Sequence, residues 1–437
     1  MTSRLAGPLS ISTLLLSTAI LFVGGGLNNL LVPVRAALEG FSTLQIGLLG
    51  TGAAIGTVIG CMLSPGLIRQ VGHIRAFAVL AASAAIVAMV QGLIIDPWLW
   101  VLLRVPTGIA FAGLATVIES WLNASTSNEA RGRTMAVYMT IQLAMQTAGQ
   151  LLLMLADPML VTLFMLVALA ITASLIPVGL TRTIVPGQVA DVRLHLRRIY
   201  EQSPSGVVGA VAIGLANGSF WALAPLFTAD RGFGSDQIAV FMSLAVIGGA
   251  LLQYPLGRWS DRIDRRRVIL ITATAASLIG LGLVLLPSIG TALLLALAAP
   301  LGAVLFALYP LCVAHVNDHV DEGEFVEACS SMLLLYGGGA VIGPILAAKL
   351  MDWIGSSALF IFIASIYGLY VIFVLTRLRV SPRPPAAERG DFVAMPSSPT
   401  RGLDLDPRVD EQTDPETIQE APGQDPIPAS EGMSDKQ

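Results

Sequence analysis

Between residues 11 and 376 the chain is a succession of apolar runs separated by short polar breaks. Each run is about twenty residues long, the helical length that crosses roughly 30 Å of hydrocarbon. Twelve spans are expected, at 11–33, 44–68, 76–95, 98–122, 134–156, 158–180, 206–229, 236–258, 268–287, 290–316, 328–351 and 356–376. A soluble core this apolar would need polar faces on its outer helices, and these runs do not supply them. A closed β-barrel is excluded too, because short segments alternating with period two are absent. The expected fold class is an all-α integral membrane protein.

Topology follows from the basic residues. Arg4 leads into the first run with no small-residue cleavage site, so that run is expected to remain as a span. With the N-terminus inside, the inner segments hold 17 Arg and Lys residues and the outer loops hold three, Arg35, Arg231 and Lys349. The positive-inside rule then places both termini and the loop 181–205 in the cytoplasm. From Ser381 the chain changes to ten prolines and twelve acidic against five basic residues. Such a segment cannot bury enough surface to fold, so 381–437 is expected to be a disordered acidic cytoplasmic tail.

The two halves are tandem copies. LLVPVRAALEGFSTLQIGLL at 30–49 matches ALAPLFTADRGFGSDQIAVF at 222–241, pairing Pro33 with Pro225, Gly40 with Gly232, Phe41 with Phe233 and Gln45 with Gln237. The expected domains are a six-helix bundle at 1–180, a cytoplasmic linker at 181–205 and a second bundle at 206–380. A parallel repeat of six spans is the architecture of transporters that rock two bundles about a midplane site.

Residues 257–268, GRWSDRIDRRRV, carry seven charges in a chain that is only 12% charged. This stretch resembles the loop signature of the major facilitator superfamily, G-x-x-x-D-R-x-G-R-R/K. Gly257, Asp261, Arg262, Arg265 and Arg266 are in place and Asp264 replaces the second glycine. The corresponding first-half loop, PGLIRQVGHIR at 65–75, is degenerate, with Arg69 where the aspartate should be. IESWLNASTSNEARGRTMAVYM at 118–139 and FALYPLCVAHVNDHVDEGEFVEACSSMLLLYGGGAVIGP at 306–344 are similar to the bacterial YcaD-type subfamily. The resemblance covers residues 10–378 and implies two six-helix bundles.

Asp261 can accept hydrogen bonds at the inner end of span 8, while Arg262 and Arg266 can fork onto carboxylates of neighbouring helices. Such a cluster is expected to latch the cytoplasmic side; the alternative is that the basic loop only fixes topology. Glu119, the sole acidic residue within a span apart from Asp236 at the first position of span 8, is expected about three residues from the inner end of span 4, facing Arg69 or Arg75. Its second-half counterpart is His315, Asp318 or both. Gly257, Arg265 and the residues just named make up the expected cytoplasmic gate.

Arg104 lies in the outer third of span 4, and its spacing to Gly108 resembles the R-x-x-x-G element of proton-linked facilitators. Proton handling, an anion site for the solute and a bond to helix carbonyls all remain open for it. Tyr138, Gln142, Gln146 and Gln150 recur every four residues, one polar stripe down span 5 that would be costly in lipid. The stripe faces a neighbouring helix or a solute pathway. The superfamily resemblance implies a cavity among spans 1, 4, 5, 7, 8, 10 and 11, which adds Asn28, Asn29, Asn217, Trp221, Gln253, Tyr309 and Tyr336 as lining candidates.

Other chemistry is poorly supported. The two lysines, Lys349 and Lys436, are followed by Leu and Gln, so no Walker A phosphate loop can be built. Cys61, Cys312 and Cys329 lack metal-ligand spacing and are expected as free thiols. His315 and His319 near Asp318 form at best a weak metal pair. No catalytic residue, metal, cofactor or nucleic-acid partner is expected; the partners are a small-molecule solute, the lipid bilayer and protons as coupling ion, with the chain a monomer. The expected function is secondary active transport by alternating access, with Glu119 and Arg104 as proton-coupling candidates. The alternative is a non-transporting sensor or interaction protein of the same fold.

Overall fold

The computed structural model of the protein describes residues 8–180, 196–285, 290–320 and 325–380. Five long helices open the chain: α1 (Pro8–Leu38), α2 (Thr43–Val71), α3 (His73–Leu93), α4 (Pro97–Ser125) and α5 (Asn128–Leu151). A 3₁₀ turn (Leu152–Leu155) closes α5, and the sixth span is broken into α6 (Thr162–Ala173) and α7 (Leu175–Leu180). Within the linker sits a short helix, α8 (Leu196–Gln202), with Ile199 buried. The second half comprises α9 (Pro204–Asp230), α10 (Ser235–Arg262), α11 (Arg265–Leu285), α12 (Thr291–Asn317), α13 (Phe325–Ile354) and α14 (Ala358–Val380). The expected tail and most of the linker lie outside the described residues.

Eleven of these segments are long and apolar enough to cross a membrane. The fifth span, α5, falls short because Arg131, Arg133 and three glutamines dilute its apolar residues. Most helices overrun the expected spans by a few residues. The arginine-bearing turns around 72, 126 and 263 gather at one end, called here the basic face; the turns around 40, 95 and 232 form the far face.

In the first half α2 packs along α4, α1 along α5, and α3 against α4 and α6. In the second half α10 packs along α12, α9 along α13, and α11 along α14. α2 against α13 and α9, and α5 against α10, join the halves.

The sequence repeat is a repeat of backbone geometry. α1 and α9 end alike: Gly40 and Gly232 have φ of 76° and 82°, a left-handed conformation that needs glycine. The Phe41 N–H then reaches back to the Ala36 carbonyl at 3.0 Å, and the Phe233 N–H to Thr228 at 3.1 Å. Gln45 Oε1 accepts from the Ser42 N–H, and Gln237 Oε1 from the Gly234 N–H, so the matched glutamines cap α2 and α10. Deeper in, a Cβ on Gly56 would meet the Val105 carbonyl of α4, and one on Gly108 the Ala53 carbonyl of α2. Gly248 against Ala299 and Gly302 against Ala245 repeat that crossing between α10 and α12. Apolar attraction between helices is weak in lipid, so backbone-to-backbone approach at small residues carries the packing.

That crossing makes an opposed prediction. Gly302→Ala should destabilise the purified protein by about 1–3 kcal/mol through overpacking. Gly66→Ala, where a Cβ meets nothing within 4 Å, should be neutral or stabilising by up to about 1 kcal/mol, because alanine is the better helix former. Thermal melts in detergent check both; equal shifts would remove close packing from the account.

Candidate functional site: a polar cavity between the two halves

A cavity of about 410 Å³ separates the halves. Near the far face the halves touch. Thr51 Oγ1 donates to the Val341 carbonyl at 2.8 Å, Ser243 Oγ to Gln150 Oε1 at 3.3 Å, and Gly47 and Gly50 of α2 abut Pro344 and Ala222. Toward the basic face the lining continues along α2 through Cys61 and Pro65 to Arg69, which is exposed.

Six of the twelve expected cavity residues line this space: Asn29, Arg104, Gln142, Gln146, Trp221 and Tyr336. The glutamine stripe divides. Residues four apart on a helix of 3.6 residues per turn rotate by about 40° per step, so the two ends of the stripe turn away from its middle. Tyr138 donates to Glu119 Oε1 at 3.1 Å, and Gln150 takes the bond from Ser243 across the halves. Asn28 is buried off the lining, Asn217 hydrogen-bonds Tyr336 from behind, and Tyr309 packs edge-on to Tyr336 with centroids 5.0 Å apart. Gln253 is buried in α10, away from the cavity.

Two spans expected around the cavity, α10 and α12, contribute no residue to its described lining, and α2 contributes many, among them Ala53, Ala54 and Thr57. Sequence reasoning passed over α2 because those side chains carry no chemistry. Their small size was the signal, since small residues leave room. Phe22, Phe111 and Ser330 are further lining residues that the sequence did not single out.

Arg104 is the most constrained polar group. It is 7% exposed, about 10 Å along α4 from the far face, with its Nε 3.4 Å from the Leu49 carbonyl. Its Nη1 has no hydrogen-bond partner among the described residues, and neither does Trp221 Nε1. The Trp221 ring stacks on Phe306 at 5.3 Å and 17°.

A second cluster lies at the basic face. Arg265, only 3% exposed, pairs with Asp318 at 2.7 Å and with Asp261 at 3.0 Å, so one guanidinium ties the ends of α10, α11 and α12. The sequence expectation faced Asp318 with Arg262 or Arg266, and Arg265 takes that place; Asp261 accepts from an arginine, as its position allowed. Arg262 is exposed; the loop turn at Ile263 and Asp264 points Arg265 inward instead. Arg266 pairs with Asp264 at 2.9 Å within the loop. Burial pushes the Asp264 carboxyl up, but hydrogen bonds from the Arg266 side chain and backbone, with its charge, outweigh that and hold it below its ordinary value. His315 is buried and packs edge-on to His319 at 4.6 Å; Gly257 is buried in α10.

In the first half Arg75 is exposed at the start of α3. Glu119 is 4% exposed, and because α4 continues to Ser125 it lies about 9 Å from the helix end, deeper than expected. Beside it His73 Nε2 lies 3.0 Å from Ser120 Oγ. Cys61, Cys312 and Cys329 are buried, and none of them is in a disulfide.

Comparison with known proteins agrees with this architecture. The family described as Major Facilitator Superfamily matches residues 206–412. The Uncharacterized MFS-type transporter YcaD of Escherichia fergusonii is 30% identical over 366 residues, which cover 82% of this chain and 93% of that one; a YcaD of Shigella flexneri matches to the same extent. Among solved structures, the nucleoside transporter NupG superposes with a TM-score of 0.73 at 13% identity, covering 85% of this chain and 100% of that one. A bacterial homolog to the human lysosomal transporter Spinster, in an inward-facing and unoccupied conformation, gives 0.66 at 15%, covering 85% and 96%. A multi-pass chain with this repeat, cavity and kinship belongs to the major facilitator superfamily and is a membrane transporter similar to YcaD.

Proposed function

We propose that the protein is a secondary active carrier of a small organic solute, working by alternating access and coupled to protons. The observation that carries this reading is the cavity between two repeated halves, closed at the far face and reaching an exposed Arg69 at the basic face. A site held between two bundles that meet closely near the far face is what a rocking carrier needs. Bundles at 1–180 and 206–380, joined by a cytoplasmic linker at 181–205, would be the rocking units.

With the basic face cytoplasmic, this geometry is open to the inside. Both termini then lie in the cytoplasm, the membrane is the bacterial inner membrane, and one chain suffices because the cavity is complete within it. Arg265 with Asp261 and Asp318 stiffens the second bundle's cytoplasmic end, and Arg69 stands at the cavity's mouth. Purified protein in liposomes tests the reading. Flux of some member of a broad panel of organic solutes, saturable and absent from empty vesicles, is the expected result. A folded protein with no flux of any of them would favour a sensor of the same fold.

A further inference from the structure

We propose that the transported solute is an organic anion whose carboxylate or phosphate is seated on Arg104 at the closed end of the cavity. This rests on the carrier reading above and narrows its substrate class.

Charge is the first argument. The charged side chains among the cavity's described lining are Arg69 and Arg104, both cationic; no carboxylate lines it. Glu119 lies outside the lining, engaged by Tyr138. An arginine this deep in a membrane protein is costly unless an anion or helix carbonyls accept from it. The Leu49 carbonyl, 3.4 Å from Nε, is one long bond to a group with five donors. Nη1 has no acceptor among the described residues, so the guanidinium keeps unused donors for the oxygens of a carboxylate or phosphate.

Position is the second argument. Counted along their helices, Asn29, Gln142, Gln146 and Trp221 lie about 8–14 Å from the far-face ends, the same layer as Arg104. Two residues of this lining carry a buried donor with no acceptor among the described residues, Arg104 at Nη1 and Trp221 at Nε1. The amides of Asn29, Gln142 and Gln146 offer neutral hydrogen bonds to the rest of the molecule, and the indole offers a flat apolar surface. A space of about 410 Å³ suits a compound of small-drug size. A cationic solute would meet two like charges and no carboxylate among the described lining.

The test uses matched sets built on one aromatic ring: a carboxylate, its primary amide, its amine and its phosphate monoester. Binding is measured on detergent-purified protein by thermal shift and calorimetry, so no flux is required. The carboxylate or the phosphate monoester should bind at least tenfold more tightly than the amide and the amine, and which of the two wins identifies the headgroup. Arg104→Gln should lower that affinity at least tenfold, and Arg104→Lys less. Without ligand, Arg104→Met should melt no lower than wild type, because it removes an unsatisfied charge; a much lower melt would make Arg104 a structural bond to Leu49. Preference of wild type for the amide or amine, failure of every anion in the set to bind, or anion affinity unchanged in Arg104→Gln would each overturn the assignment. Anion binding without flux would sink the carrier reading and leave Arg104 only as the seat of a bound anion, whereas cation flux independent of Arg104 would keep the carrier reading and overturn the anion assignment.

Discussion

Arg265→Ala is expected to reduce transport at least tenfold and to lower the yield of folded protein, the largest effect of any single change at the basic face. Its guanidinium is 3% exposed and holds two carboxylates, Asp318 at 2.7 Å and Asp261 at 3.0 Å, from two other helices. Removing one partner of a buried pair leaves the other charge uncompensated, which costs about 3–5 kcal/mol. Double removal should cost less: Arg265→Met with Asp318→Leu replaces charge with apolar volume and should recover part of the melting temperature. Arg262→Ala is the control, because Arg262 is exposed and changes of that kind stay within about ±0.5 kcal/mol. Thermal melts and vesicle uptake of the four proteins decide the matter. If Arg262→Ala were the damaging change and Arg265→Ala the mild one, the contact geometry at this face would be wrong.

That contrast marks where the sequence was legible. The charge run at 257–268 and its acidic partner at 318 could be found by composition, and the repeat located the halves through Gly40 with Gly232 and Gln45 with Gln237. Those residues are local: each is required by the backbone within five positions of itself, so the pattern survives in a string of letters. Which arginine turns inward is not local. It depends on where α10 stops, at Arg262, and on how the two-residue break before Arg265 aims the next helix. The cavity shows the same division. The glutamine stripe was visible as a period of four, but only Gln142 and Gln146 line the space, because rotation along α5 and the position of α10 decide which ends are taken up by Glu119 and Ser243. Ala53, Ala54 and Thr57 of α2 were invisible because their contribution is the absence of bulk.

Glu119→Gln is expected to abolish uptake driven by a pH gradient while leaving solute exchange intact. A proton-coupled carrier needs one group whose charge changes with access, and no carboxylate is found among the cavity's described lining. Glu119 is the buried carboxylate nearest that role. It is 4% exposed and accepts from Tyr138 at 3.1 Å, and Tyr138 stands one turn from Gln142, which does line the cavity. The proton would then be read one layer behind the solute, with the tyrosine hydroxyl joining the two, so Tyr138→Phe should weaken coupling without weakening binding. Charge balance sharpens the expectation. A monoanion moving with one proton transfers no net charge, so an imposed pH gradient should drive accumulation and an imposed membrane potential should not. Vesicles loaded to set each gradient alone separate the two. Accumulation by Glu119→Gln equal to wild type would remove this residue from coupling, and a wild type indifferent to the pH gradient would remove protons altogether.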